Sequence, residues 1–146
     1  MGHRSADGVS KNQPAKLAAL EGHYDSTAVA DMYLFGWVNN ETQTTTGLKI
    51  PGGLSFLIHG DFEKEVIGLN AFNPEDRPTQ VNAIFQFYHL MVAIGLALIA
   101  LTLYASWQWR KGKLFDKRWL MSIFVWSVLL PQIANQVGWF AAEMGR

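Results

Sequence analysis

From Leu90 to Leu101 every residue is Leu, Met, Val, Ala, Ile or Gly, and the run sits inside a longer apolar span, Val81 to Trp107. A helix rises 1.5 Å per residue, so about 20 residues suffice to cross a bilayer. A second span, Trp119 to Ala142, is more polar: it holds Ser122, Ser127, Gln132, Asn135 and Gln136, and Pro131 is expected to kink it. Such a helix faces protein rather than lipid. Between the spans, Arg110, Lys111, Lys113, Lys117 and Arg118 stand against the single Asp116, flanked by Trp107, Trp109 and Trp119. The positive-inside rule and the aromatic belt make this turn cytoplasmic.

Charge divides the chain in the same way. Residues 1–80 carry six Lys/Arg against ten Asp/Glu, whereas residues 81–146 carry six against two. The acidic part is expected outside the membrane. No cysteine occurs, which excludes a disulfide framework and a thiolate metal site. The polar start, Met1 to Ser5, has no apolar stretch behind it, so no cleavable signal peptide is expected. Nothing points to a nucleic-acid partner.

Local signals within residues 1–80 predict small elements and no span. Pro14 at a first helical position, followed by Ala15 to Glu21 with Gly22 as stop, describes a helix of about two turns. Met32 to Val38 is rich in aromatics and ends in Asn39-Asn40, and Thr44 to Ile50 follows, which suggests a hairpin. Leu54 to Ile58 is a further short apolar segment, and Asn73 to Pro78 breaks structure before the first span. The expected architecture is an all-α membrane protein. Two antiparallel transmembrane helices (81–107 and 119–146) are joined by a cytoplasmic turn (108–118) and preceded by an extracytoplasmic loop region (1–80) with short helices and candidate strands.

Glu143 is the first functional suspect. An ionisable group deep at the end of a membrane helix costs about 3 kcal/mol, so it is usually paired, wetted or bound to something. Trp139, four residues earlier, shares its face of the helix. In the first span His89 and Met91 project about 200° apart, so only one of them can ligate a given metal ion. On residue chemistry alone His89 is the better candidate, because imidazole is the commoner metal ligand. The acidic outer part also fits a different class altogether, a non-enzymatic two-span protein that binds a partner.

Three blocks, QPAKLAALEGHY (Gln13 to Tyr24), FQFYHLMVAIG (Phe85 to Gly95) and GWFAAEMGR (Gly138 to Arg146), resemble subunit I of cytochrome bd-type quinol oxidases in order and spacing. The resemblance implies a quinol-binding outer loop and the two helices that follow it. It also implies that the chain is a piece of a longer subunit, since the family's last motif continues beyond Gly145-Arg146 and five helices precede the loop. Implied cofactors are a low-spin haem b, a high-spin haem b and a haem d, or a b in its place. Quinol and oxygen are the implied substrates. Implied partners are oxidase subunit II, a small single-span subunit as a further candidate, and the lipid of a bacterial or archaeal cytoplasmic membrane.

By the same resemblance, Lys16 and Glu21 are associated with quinol oxidation, although five residues on a helix place them about 140° apart. Met91, and not His89, falls at the methionine ligand of the low-spin haem, with Gly95 one turn away leaving room for a flat macrocycle. His89 stands where some members have arginine near that haem. Glu143 matches a residue that ligates or neighbours the high-spin haem, Trp139 a tryptophan packed among the haems, and Arg146 a partner for a haem propionate. The plain alternatives are a solvated helix at Lys16 and Glu21, a core methionine at Met91, an interface anchor at Trp139, a solvent-exposed Glu143 and a snorkelling Arg146. His3 and His59 are expected to be structural or exposed, and His23 shares only the quinol block.

Overall fold

The computed structural model describes residues 8, 9, 12–63 and 65–145. The chain divides into two compact units, Met1–Gln86 with Phe140–Arg146, and Phe87–Trp139. In chain order the elements are α1 (Pro14–Leu20), β1 (Met32–Asn39), β2 (Thr44–Ile50), α2 (Gly53–His59), two 3-10 turns (Leu69–Ala71 and Pro74–Asp76), α3 (Val81–Arg110), α4 (Arg118–Ser127) and α5 (Leu129–Met144).

Helix α1 forms because Pro14 supplies a preset φ at the first position and the alanines and leucines behind it are strong helix formers. Gly22 ends it in a left-handed conformation, φ 61°. Leu17 points to one apolar cluster, with Ala30, Leu54, Ile58 and Val66. Ala18 and Ala19 point to another, with Tyr24, Val38, Leu69, Val81, Ile84 and Phe85. The helix is therefore wedged between two small cores, which fixes the orientation of everything it carries.

Strands β1 and β2 pair antiparallel from Met32↔Ile50 to Asn39↔Thr44, with a bulge between Tyr33 and Phe35. The expected hairpin is present. Its turn is held by Asn39, whose side-chain oxygen accepts from the amides of Glu41 (2.9 Å) and Thr42 (3.2 Å). The first turns of α3 tie the hairpin down: Gln86 donates to the Gly36 carbonyl at 2.7 Å, and Asn82 accepts from the Val38 amide at 3.3 Å. The apolar segment Leu54–Ile58 is helical, bracketed by left-handed Gly52 and Gly60.

Two stretches among the described residues are long and apolar enough to cross a membrane: Pro74–Arg110, 37 residues, and Arg118–Met144, 27 residues. In the second unit they run antiparallel, because Met91 meets Gly138 while Tyr104, further along α3, meets Lys117 and Trp119. The first helix extends three residues beyond the expected Trp107. The second is broken at Val128, three residues before Pro131. Proline lacks the N–H that would bond the carbonyl of Ser127, and its ring crowds that carbonyl, so the break falls upstream of the proline itself. Outward-facing side chains such as Leu96, Leu103, Val125 and Trp126 are exposed, as expected of a surface meant for lipid or further helices.

Candidate functional site

The first unit gathers the quinol block and the end of α5. Lys16 is half-buried, and its stem covers Gly145: a Cβ built on that glycine would lie 3.2 Å from Lys16 Cγ. The neighbouring Met144 packs against the cluster containing Ala18 and Ala19. Glu21 occupies the C-cap of α1, its amide bonded to the Leu17 carbonyl at 3.2 Å, and its side chain is only 2% exposed. Lys16 and Glu21 thus lie in different surroundings, in keeping with their angular separation on the helix.

Around Glu21 the chain is clamped. Thr45 Oγ1 donates to the Gly22 carbonyl at 2.6 Å, and the His23 amide donates to the Ala18 carbonyl at 2.8 Å. The amides of Leu69 and Asn70 donate to the carbonyls of His23 and Tyr24 at 3.0 and 2.9 Å. Gly22 has no room for a side chain, since a Cβ there would stand 2.9 Å from Val38 and 3.1 Å from Phe85.

His23 is more than a bystander of the block. It is half-buried, with Nε2 3.3 Å from the Val66 carbonyl, and lines a polar cleft of about 290 Å³ with Asp25, Asp31 and Tyr33. Desolvation pushes its pKa below the ordinary 6.5, against the upward pull of the Val66 carbonyl and of the Asp25 and Asp31 carboxylates. Burial likewise raises the Tyr24 phenol above its ordinary 10.0. Lys49 pairs with Asp31 at 2.5 Å, and that bond raises the ammonium's pKa. Sequence spacing gave no sign of this cleft, because its walls come from the turn after α1 and from both strands.

In the second unit the Met91 thioether points at α5. A Cβ built on Gly138 would stand 2.5 Å from its sulfur, so only glycine admits the side chain in this position. Gly95, one turn further, faces open space, with nothing within 4 Å of an added Cβ. Thr102 is exposed, and its hydroxyl bonds back to the Leu98 and Ile99 carbonyls at 3.0 and 2.8 Å. His89 is half-buried, its ring edge-on to Tyr88 at 5.3 Å. Trp139 is 59% exposed.

Glu143, in the first unit, is exposed, between buried Ala141 and buried Gly145. Arg146 and His3 lie outside the described residues. His59 is exposed, as expected.

Among the described residues no group of three or more His, Asp or Glu could hold a metal ion. A thioether is a fitting haem-iron donor and a carboxylate oxygen can also bind iron, so Met91 and Glu143 would suit haem contacts.

Comparison with known proteins agrees with the three motif blocks. The family model described as cytochrome bd terminal oxidase subunit I matches residues 1–146. The chain is 29% identical to cytochrome bd ubiquinol oxidase subunit 1 of Bacillus subtilis over 155 residues, covering 99% of this chain and 33% of that protein. It is 39% identical over 67 residues to cytochrome bd-II ubiquinol oxidase subunit 1 of Escherichia coli, covering 46% of this chain and 13% of that one. The solved bd oxidase of Geobacillus thermodenitrificans superposes with a TM-score of 0.82 at 31% identity, over 99% of this chain and 33% of that one.

Membrane-length helices and these matches define the class, a polypeptide related to membrane terminal-oxidase subunits. The chain belongs to the cytochrome bd terminal oxidase subunit I family. It spans about a third of the length of the relatives it matches.

Proposed function

We propose that this chain supplies the quinol-oxidising outer segment and two haem-contacting helices of a quinol:oxygen oxidoreductase, acting only within the whole subunit and complex. The observation that carries this is the seating of Lys16 against Gly145, which joins the quinol block to the end of the GWFAAEMGR helix in one compact unit. Electrons leaving quinol beside α1 start close to the segment that carries Glu143.

A quinol loses two protons as it loses two electrons. A carboxylate within reach of one hydroxyl accepts a proton, and an ammonium near the other oxygen holds the anion. Glu21 and Lys16 take these parts. Burial of Glu21 shields the transferred proton from bulk water, and the clamp at Gly22 fixes the backbone next to it. Bound haems would supply one-electron transfer and oxygen reduction. Met91 would hold the low-spin haem, with His89 as a further contact to it. Glu143 would serve as ligand or close neighbour of the high-spin haem, Trp139 would line the haem site, and Arg146 would pair with a propionate. A haem d, or a b in its place, would supply oxygen reduction, with subunit II as partner.

The basic turn between Arg110 and Arg118 is cytoplasmic and residues 1–80 lie outside, so protons from quinol are released on the outer face. That release contributes to the proton motive force.

The test uses the complete membrane complex. Glu21→Ala should abolish quinol oxidation with haem bands intact, and Met91→Ala should remove the low-spin band. Wild-type turnover in the first and unchanged bands in the second would overturn the proposal.

A further inference from the structure

We propose, building on the quinol-oxidising function above, that His23 is the outward proton relay of that site, taking the proton from the Glu21 carboxyl and passing it to water in the polar cleft it lines. Glu21 is 2% exposed, so a proton on its carboxyl needs a carrier to reach solvent. His23 is two residues away, which limits the Cα separation to about 7 Å. The transfer requires the two side chains to meet, directly or through one water.

The ring is oriented for the task. A backbone carbonyl can only accept, so the 3.3 Å contact with Val66 requires Nε2 to carry the hydrogen. Nδ1 then holds the lone pair that receives a proton. The cleft beside it, about 290 Å³, opens to solvent between Asp25, Asp31 and Tyr33. The groups facing the ring complete the arrangement. Asn70 donates to Asp25 at 2.9 Å and Lys49 pairs with Asp31 at 2.5 Å, so both carboxylates are held in place. From there they stabilise an imidazolium while it lasts. Burial opposes that charge, which keeps the resting ring neutral and ready to accept.

The step balances without any electron transfer. The O–H bond of protonated Glu21 breaks as an N–H bond forms at Nδ1, and the Glu21 carboxylate is regenerated for the next quinol. The imidazolium then gives its proton to water in the cleft.

The test compares Glu21→Ala and His23→Gln in the complete complex, following quinol oxidation against pH at saturating quinol. Gln keeps a donor for the Val66 carbonyl. The expected result is at least about a tenfold fall in kcat in His23→Gln, with KM and haem spectra unchanged. The acid-side fall in rate below 6.5 should disappear, and imidazole added to the outer medium should restore part of the rate. A wild-type rate and pH profile in His23→Gln, or a raised KM that imidazole does not relieve, would overturn the relay while lost turnover in Glu21→Ala left the quinol site standing. Full turnover in Glu21→Ala would remove the quinol site and the relay together.

Discussion

The sulfur of Met91 fills the space that Gly138 leaves empty on the facing helix, 2.5 Å from where a Cβ would be. The first residue of the GWFAAEMGR block is therefore a spacer for the side chain proposed to ligate the low-spin haem. Methionine is flexible enough to turn away from an intruding methyl group. Gly138→Ala should thus cost only about 1 kcal/mol of stability. The thioether would move, and the low-spin haem band of the complete complex should shift or weaken. Met91→Leu should eliminate that band while conserving the packing. An unchanged band in Gly138→Ala would separate the packing role of Met91 from any role as ligand.

Lys16 combines two functions that substitution can separate. Its stem packs on Gly145, and its ammonium is proposed to meet the quinol oxygen. Lys16→Met keeps the stem and removes the charge. Quinol turnover should fall by about tenfold or more with the haem spectrum and thermal stability unchanged. Lys16→Ala should lower both turnover and stability, because the apolar cover over Gly145 is lost as well. Equal turnover in Lys16→Met and wild type would assign the residue to packing alone.

At the other end of the helical pair, Tyr104 holds the basic turn. Its hydroxyl accepts from Lys117 Nζ and from Gln108 Nε2, each at 2.8 Å, and Gln108 is 4% exposed. Tyr104→Phe leaves that buried amide without its acceptor, at a cost of about 1–3 kcal/mol. The melting temperature of the complex should fall, and the turn around Lys113 should become more susceptible to protease. Quinol affinity is expected to be unaffected. A melting temperature equal to wild type would mean that the Gln108 amide is satisfied by another acceptor.

The sequence announced some of these features and not others, for reasons that differ by residue. Spans, hairpin and α1 were legible because each is set by local chemistry: apolar length, the turn residues Asn39 and Asn40, and the Pro14 and Gly22 boundaries. The break at Val128 was displaced from Pro131 because a proline acts on the carbonyl four residues upstream. The role of Gly138 was hidden, since spacing along one helix says nothing about the partner across from it. Gly95, one turn from Met91 on its own helix, does face open space. The burial of Glu21 and the His23 cleft were hidden for a similar reason. Both depend on Val66, Thr45 and Asp31, which are distant in sequence and are brought in by the hairpin and the returning loop.

Burial of His23 and Tyr24 should give the outer unit a stability optimum bounded on both sides. The folded pKa of His23 is depressed below 6.5, so its contribution is present above 6.5 and is lost as pH falls through the folded value, because the unfolded chain binds the proton more readily. Tyr24 behaves in the opposite sense. Its folded pKa is raised above 10.0, so its contribution is present below 10.0 and is lost as pH rises through the folded value. Thermal unfolding of the complex followed across pH, with loss of outer-loop structure as the readout, should therefore show an acid slope that His23→Gln flattens. An alkaline slope should be flattened by Tyr24→Phe. Because Tyr24 also donates to Asn40 Oδ1 at 3.3 Å, its variant should lose a little stability at every pH as well as the slope. An acid slope that persists in His23→Gln would move the responsible group elsewhere and weaken the case that this imidazole titrates within the loop.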